Sequence, residues 1–510
     1  MRSFLAALAT AVLAAVAPSA QAFCGFYAGK ADTSLFNRAS QVVLARDGQR
    51  TVIAMQNDYQ GPLSEFALVV PTPEVIRPGQ VKVADRALFE RLDAFSSPRL
   101  AEYHDADPCR FDFAWGRPEA LRRMAMPAAA MAPAAQEKSA RDTALGVTVA
   151  ARFTLEEYDI VSLSATQSTG LETWLHENGY RIPAGAHAAL APYIAQGLKF
   201  FVAKVNLKEQ ARLGFSTLRP LQFAYTSDKF MLPMRLGMLN AAPGEAQDLI
   251  VYVLTRKGRV EAANYRTVKL PTDMNLPPAV RPRFADFYKA MFERAAQREE
   301  HRAVFTEYFW DMGWCDPCAA QPLTATELLK AGAFWVGDAA QAPAAGISRR
   351  MPLPGGGAQD ALLTRLHLRY TPATFVDDLM LVQTGDRGNW QARYVIQNPF
   401  DGSEAQCQQR TDGVDCVAAC RSRGGEGSSP QDCLAACRAA KTSALEQARQ
   451  YYRHTLPQRA ASERDTLAQL TGWSGRELDA VAPRPAADAG LGIGDSAGQA
   501  PWWQRVFNTR

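Results

Sequence analysis

Short apolar runs separated by turn residues dominate the first 265 positions. Residues 42–44 and 51–55 are such runs, and they flank Asp47-Gly48, a pair that accepts the positive φ of a tight hairpin turn. The sequence therefore predicts a β-hairpin over residues 41–56. Further strands are predicted at residues 66–70, 147–153, 158–163, 198–205, 221–225, 230–236, 249–254 and 260–265.

Helical periodicity appears between these strands. Leu88, Phe89 and Leu92 predict a helix over 84–95, and Phe284, Phe287 and Met291 predict one over 282–300. Shorter helices are predicted at 171–177, at 188–196, and after the capping box Thr324–Glu327, closed by Gly332. Strands return at 366–370, 379–382 and 390–397, while 305–310 is a strand or a buried turn. This pattern predicts an α+β protein: a large, mainly antiparallel β-sheet or sandwich domain with inserted helices.

The chain changes character after residue 400. Cys416 and Cys420 recur as Cys433 and Cys437 in a repeated Cys-x-Ala-Ala-Cys-Arg pattern, and cysteines four apart share one face of a helix. Two antiparallel helices could form Cys416–Cys437 and Cys420–Cys433, with Ser429-Pro430 starting the second helix. A zinc site built from the same four cysteines is the alternative. We predict a C-terminal helical region with a disulfide-stapled helical hairpin and a further helix over 462–470.

The N-terminus predicts export. Residues 1–22 have the three features of a signal peptide, which are a positive charge at Arg2, an apolar run over 4–16, and an Ala20-Gln21-Ala22 cleavage site. No later apolar run reaches the roughly 18 residues of a membrane helix, so no integral span is expected after signal removal. The nine cysteines would then meet an oxidising periplasmic or extracellular environment, where disulfides are the default.

Changes in composition along the chain predict four regions. These are the signal 1–22, a β-rich domain 23–400 with mobile loops at about 116–146 and 338–360, a Cys-rich helical region 401–475, and a largely disordered tail 476–510. The tail ends in Trp502-Trp503, which could pack back, bind a partner or touch a membrane surface. The net charge of +4 is close to balance, and the sequence contains no cluster of basic residues of the kind that binds nucleic acid.

Six short segments resemble the secreted bacterial family filed as Domain of Unknown Function 2330. They are Phe23-Cys24-Gly25-Phe26, residues 66–73, residues 98–109, Gly170-Leu171 with Trp174-Leu175, residues 199–206, and Cys315-Asp316-Pro317-Cys318. The similarity covers most of residues 23–400. It implies export and a shared fold, and it implies no chemistry.

The dithiol Cys315-Asp316-Pro317-Cys318 follows Trp314 and resembles the active-site motif of thioredoxin-like oxidoreductases. The negative charge of Asp316 disfavours ionisation of a neighbouring thiol. The βαβ pattern expected around a thioredoxin-like motif is also missing from the surrounding sequence. Cys315 and Cys318 are therefore catalytic candidates only, and a structural Cys315–Cys318 bond is preferred over catalysis or a metal. Pairing of either with another cysteine, including Cys407, is open.

The remaining cysteines complete the expected pairing. Cys24 and Cys109 both lie in the β-rich portion, so a Cys24–Cys109 bond would tie the mature N-terminus to that core. Nine is an odd number, and Cys407 is the predicted unpaired thiol.

Other motifs are weak. Glu102, His104, Asp105 and Asp107 could offer oxygen ligands to calcium, but a solvated loop is preferred because EF-hand spacing is missing. His176-Glu177 lacks the second histidine of a zinc protease. No nucleophile elbow, phosphate loop or dinucleotide motif appears, and six scattered histidines show no triad. A hydrolase whose residues meet only in space stays open.

We therefore expect no metal and no cofactor. The favoured interpretation is an exported, non-enzymatic binding or cell-envelope structural module. Its partner is unknown from the sequence, and an envelope protein or peptide is one candidate. The alternative is a thiol–disulfide oxidoreductase using Cys315 and Cys318.

Overall fold

The computed structural model describes residues 26–29, 36–60, 66–110, 147–178, 185–213, 218–240, 246–313, 321–337, 360–421 and 429–482. The strands in chain order are β1 Phe26–Gly29, β2 Phe36–Asp47, β3 Arg50–Gln60, β4 Phe66–Thr72, β5 Val81–Val83, β6 Arg99–His104, β7 Val147–Leu155, β8 Tyr158–Ala165, β9 Lys199–Val205, β10 Leu221–Thr226, β11 Met231–Leu232, β12 Gln247–Thr255, β13 Val260–Ala262, β14 Arg266–Lys269, β15 Met274–Leu276, β16 Ala303–Asp311, β17 Leu362–Tyr370, β18 Leu379–Gln383, β19 Trp390–Gln391 and β20 Arg393–Asn398. The helices are α1 Arg86–Ser96, α2 Ser168–Glu177, α3 Ala186–Ala195, α4 Leu207–Arg212, α5 Phe284–Arg298, α6 Ala325–Lys330, α7 Glu404–Asp412, α8 Cys416–Arg421, α9 Pro430–Gln450, α10 Leu456–Thr471 and α11 Gly475–Val481.

The chain divides into two compact units. The sheet unit takes its described residues from Met1–Phe95, Ala129–Val268 and His301–Asn389. The helical unit takes its described residues from Ser96–Ala128, Lys269–Glu300 and Trp390–Arg510. The boundary drawn from composition at residue 400 lies inside the helical unit and stays a prediction.

The core of the sheet unit lies between two sheets. A five-stranded antiparallel sheet has the order β1-β4-β9-β8-β7, and a large sheet runs β14-β16-β17-β12-β2-β3-β10-β5. Alternate residues of each sheet face the other, as a period of two requires. Phe201 of β9 stacks on Phe223 of β10 with ring centroids 5.0 Å apart. The predicted α+β sandwich with inserted helices is confirmed.

The large sheet is mixed rather than wholly antiparallel. Strand β12 lies beside β2 in parallel, with Val251 opposite Val42, and beside β17 in antiparallel. The predicted hairpin is formed by β2 and β3, which join at Asp47 and Arg50. Gly48 in this turn has φ +59°, the conformation that the Asp-Gly pair predicted.

Helices α2 and α3 cover the outer face of the five-stranded sheet. Leu171 and Trp174 of α2, with Leu190 and Tyr193 of α3, are buried in one cluster with Phe200 and other sheet residues. This burial fixes the two helices side by side, since core side chains lose most of their freedom when packed.

The outer face of the large sheet carries charge. In β17, Arg365 and His367 alternate with Leu366 and Leu368, so the leucines fill the sandwich and the charged residues lie on the opposite face, where Arg365 contacts α1. Arg365 pairs with Asp93 of α1, Tyr252 of β12 and Glu307 of β16. His367 pairs with Glu307 and with Asp248 of β12, and Asp248 also binds Arg369 of β17.

These buried charges balance one another when His367 is protonated. Arg365 lies 2.5 Å from both Asp93 and Glu307, and Arg369 holds Asp248 at 2.7 Å. Burial alone would lower the pKa of His367, but the charges and hydrogen bonds of Glu307 and Asp248 raise it. Three carboxylates then face two guanidiniums and one imidazolium, as burial of charge requires.

The helical unit is built on a small parallel sheet. Its order is β15-β20-β6, and Tyr394 of β20 packs edge-on against Phe287 of α5 at 4.9 Å. Helices α9 and α10 form one continuous helical path through a π-helical turn at Tyr451–Thr455. The predicted helix over 462–470 is therefore the end of a much longer one.

Several boundaries differ from the sequence prediction. The strand expected over 230–236 is reduced to Met231–Leu232, and the strand expected over 260–265 ends at Ala262. Both pair only with β18, in a three-stranded sheet of short segments. The segments 1–22, 116–146, 338–359 and 483–510 lie outside the described residues. Among the described helices, none combines the length and apolar character needed to cross a membrane.

Candidate functional site

Six cysteines lie in the described part of the chain, and all six form disulfides. The bonds are Cys109–Cys407, Cys416–Cys437 and Cys420–Cys433. The last two were predicted from the four-residue spacing, and they consume the thiols that the zinc alternative required. Cys24, Cys315 and Cys318 lie outside the described residues, so the dithiol motif stays a prediction.

The expected Cys24–Cys109 bond is wrong, and Cys407 is not the unpaired thiol. Cys109 follows β6, and β6 pairs with β20, whose chain continues into α7 with Cys407. The two Cα atoms are 5.5 Å apart. Sequence proximity suggested Cys24 because nothing in the local pattern shows that β6 pairs with a strand almost 300 residues later.

The predicted helical hairpin is present in the helical unit. Helices α8 and α9 are joined by Cys416–Cys437 and Cys420–Cys433, with Cα–Cα distances of 5.8 and 6.0 Å. Ser429 caps α9 by accepting a hydrogen bond from Asp432 N, and Pro430 takes the first helical position, as predicted.

The described residues of the hairpin tip form no apolar core. Among its described residues from Asp412 to Ala436, none is buried. A segment that buries so little cannot hold its shape by packing, so the two disulfides hold it instead. The stapled tip therefore presents a rigid surface to solvent.

The base of the hairpin is fixed by packing and ion pairs. Cys407 is fully buried with Cys109 and Ala448. Lys441 donates to Val414 O at 3.1 Å, and α7 is bound to the long helix through Glu404, which accepts from Arg449 and Arg453. The Cys109–Cys407 bond thus anchors the base that carries the stapled tip.

The surface of the tip combines small apolar side chains with mixed charge. Val417 of α8 is 42% exposed, and Ala418 of α8 and Ala435 of α9 are also exposed. Charged groups on the same segment are Asp415, Arg421, Asp432 and Arg438. Small residues allow close approach of another backbone, and both signs of charge can orient a partner.

Three carboxylates of the polar cluster before Cys109 pair with arginines. Glu102 binds Arg281 at 2.5 Å, and Asp107 binds Arg410 at 2.7 Å. The hydrogen bond from Arg410 lowers the pKa of Asp107. His104 is exposed. Within the described ranges, no group of three potential ligands could hold a metal ion.

Asp105 is the most highly connected member of that cluster. Arg459 of α10 approaches it at 2.8 Å, Gln397 donates to it at 2.8 Å, and Tyr451 of the π-helical turn donates its hydroxyl. Burial alone would raise the pKa of Asp105, but these hydrogen bonds lower it. The three carboxylates therefore fasten β6 and the following loop to the 3-10 turn Pro278–Arg283 before α5, to α7 and to α10.

Both ends of the segment that carries Cys315 and Cys318 are anchored in the sheet unit. Before it, Met312 N donates to Ala361 O at 2.8 Å. After it, Arg91 of α1 donates to Gln321 O at 2.6 Å and pairs with Glu327 at 3.0 Å. The segment thus begins and ends on fixed supports.

Comparison with known proteins identifies the family. A family described as "Uncharacterized protein conserved in bacteria (DUF2330)" matches residues 18–382, whereas the stapled hairpin lies beyond this range. No curated protein and no solved structure matches the chain. Since the match covers more than half of the sequence, the chain belongs to this bacterial family.

Proposed function

We propose that the protein is exported to the periplasm or cell surface and acts there as a binding module of the envelope, with the stapled hairpin as its recognition element. The observation that carries the proposal is the pair of disulfides in a tip whose described residues from Asp412 to Ala436 are all unburied, with Cys437 as the one buried cysteine of the two bonds. Because the tip has almost no core to stabilise, the main effect of the two disulfides is to fix the shape of its surface. A preorganised surface loses less conformational entropy when it binds.

Export is supported by the cysteine chemistry and the N-terminus. Disulfides persist in oxidising compartments and are rare in the bacterial cytosol. Three of them within the described residues agree with the signal pattern of residues 1–22. The proposed partner is an envelope protein or peptide, because the tip offers a small apolar and mixed-charge patch rather than a basic surface.

Site-specific photo-cross-linking in cells tests the binding role. A benzophenone amino acid at Val417 should give one specific cross-linked product, identifiable by mass spectrometry. The control site is Val376, which is 63% exposed in the sheet unit and should not give this product. The identified partner, once purified, should bind the Val417→Asp variant at least about 10-fold more weakly.

Two results would contradict the proposal. One is the same cross-linking pattern from Val417 and Val376. The other is full partner binding by Val417→Asp. Export is tested separately by N-terminal sequencing of the envelope fraction, which should begin at Phe23. A cytosolic protein that retains Met1 would refute export.

A further inference from the structure

A serine, a histidine and a glutamate meet on the surface of the sheet unit. Strand β8 ends at Ala165, and α2 begins at Ser168, so the serine stands at a tight strand-to-helix turn. Ser168 Oγ lies 3.0 Å from His187 Nδ1 and 3.4 Å from Nε2. His187 belongs to α3, and the sequence gives no sign of this contact because 18 residues separate the two.

Glu172 completes the group from the same helix as the serine. It lies four positions after Ser168, so both side chains share one face of α2. Its Oε2 is 3.6 Å from His187 Nδ1. The same nitrogen is also the one nearer to Ser168 Oγ, so Nδ1 is placed to accept the serine proton, and the carboxylate beside it stabilises the imidazolium that forms.

The start of α2 supplies a third element. The residue before the helix, Gln167, makes no side-chain cap, so the first-turn N–H groups of Thr169 and Gly170 receive no capping oxygen from it. Such groups stabilise negative charge at a helix N-terminus. A serine at the first helical position places its Oγ beside them.

We propose that Ser168, His187 and Glu172 form a nucleophilic centre that hydrolyses short-chain carboxylic esters. Ser168 Oγ attacks the ester carbonyl carbon, and its proton passes to His187. The ester C–O bond then breaks, and the leaving alcohol takes that proton. Water attacks the acyl-serine, His187 accepts a proton from the water and returns it to Ser168 Oγ, and the carboxylic acid leaves.

The exposure of the group sets the substrate class. The His187 side chain is 55% exposed, and that of Glu172 is 24% exposed. A site this open cannot bury a long acyl chain, so short, water-soluble esters fit it. The helices that carry the three side chains are held rigidly, because Leu171 and Trp174 of α2 and Leu190 of α3 are buried against the sheet. This activity goes beyond partner binding and involves the other compact unit.

The test uses the full-length exported protein with p-nitrophenyl acetate as substrate. Ser168→Ala and His187→Ala should each lower kcat/KM by about 100-fold or more. Glu172 acts as a positioning residue, so Glu172→Gln should lower kcat by about 10-fold with KM unchanged, and Glu172→Asp should restore part of it. The matched control is Thr173→Ala, an exposed hydroxyl on α2 that donates to Thr169 O and should leave activity unchanged.

A covalent probe makes the result independent of turnover. Diisopropyl fluorophosphate should label the Ser168 peptide in the wild type, and labelling should be lost in His187→Ala. Ester hydrolysis that persists in Ser168→Ala would overturn the proposal, as would activity that depends on His187 alone, because a solvent-exposed imidazole can cleave this ester without a serine.

Discussion

Glu307 and His367 are joined by a 2.7 Å hydrogen bond between the Glu307 carboxylate and His367 Nδ1. Both side chains are almost completely buried. Glu307 occupies an irregularity in the register of β16, between Thr306, which faces Leu366, and Tyr308, which faces Arg365. The extra residue of a β-bulge redirects a side chain, and here it brings one carboxylate to both Arg365 and His367.

We expect the stability of the sheet unit to fall as pH rises above about 6.5. The pKa of His367 is raised in the folded state, so its protonation stabilises that state below the unfolded value and is lost as pH passes through the folded value. Asp248 and Glu307 contact His367 directly; Arg369 pairs with Asp248, and Arg365 pairs with Glu307 and Asp93.

The measurement is urea unfolding at several pH values for the wild type and His367→Asn. The variant should be less stable at pH 6 by about 3 kcal/mol, because a buried charge network loses one member. It should also lack the decline above pH 6.5. An identical pH profile in both proteins would show that His367 does not carry the effect.

The raised pKa of Glu463 predicts a second effect of pH on stability, in the helical unit. Burial raises its pKa to about 7, although Arg459 at 3.6 Å opposes the rise. The stabilisation is complete below the unfolded value of 4.5 and is lost as pH rises through about 7. Glu463→Gln should therefore be more stable than the wild type at pH 8, by on the order of 1 kcal/mol.

Thermal unfolding at pH 5 and pH 8 distinguishes the two states of Glu463. The exposed Glu446 on α9 provides a matched control, and Glu446→Gln should change neither value. If Glu463→Gln were equally destabilising at both pH values, the carboxyl would matter for packing rather than ionisation.

Removal of one staple should loosen the hairpin tip alone. Cys420→Ala with Cys433→Ala opens a bond that spans 13 residues of sequence, which costs about 3 kcal/mol of local stability. Hydrogen exchange of α8 should accelerate strongly, while exchange in β17 stays constant. Unchanged protection in α8 would mean that packing, not the disulfide, holds the tip.

Gly258 has no room for a side chain. A Cβ at this position would lie 2.2 Å from the backbone oxygen of Thr384. Gly258→Ala should therefore destabilise the sheet unit by about 1–3 kcal/mol in chemical denaturation. Gly79→Ala serves as control because a Cβ there meets nothing within 4 Å, and its effect should stay within about 0.5 kcal/mol. Equal effects from both substitutions would contradict this account.

The dithiol leads to a separate test. If Cys315 and Cys318 exchange disulfides, Cys315→Ser should abolish insulin reduction by the protein without lowering its thermal midpoint. If they form a structural bond, that variant should unfold at a lower temperature, and the wild type should not reduce insulin. We expect the structural outcome, with a reduction potential below about −300 mV.

Local sequence signals determined the elements that depend on neighbouring residues. The Asp47-Gly48 turn, the Thr324–Glu327 capping box and the four-residue cysteine spacing each describe contacts within one hairpin or one helix, and the structure contains all of them. The alternation of apolar residues also predicted the sandwich, because a strand with one apolar face must bury it.

Tertiary structure alone decided which distant segments meet. The parallel β6–β20 pairing places Cys109 beside Cys407, with which it forms a disulfide. The bulge in β16 places the Glu307 carboxylate within hydrogen-bond distance of His367. The contact of Ser168 with His187 likewise depends on two helices packing on one sheet. A sequence records the chemistry of each residue and the geometry of its near neighbours. Contacts between remote residues follow from the global arrangement that buries the most apolar surface, and no local pattern encodes that arrangement.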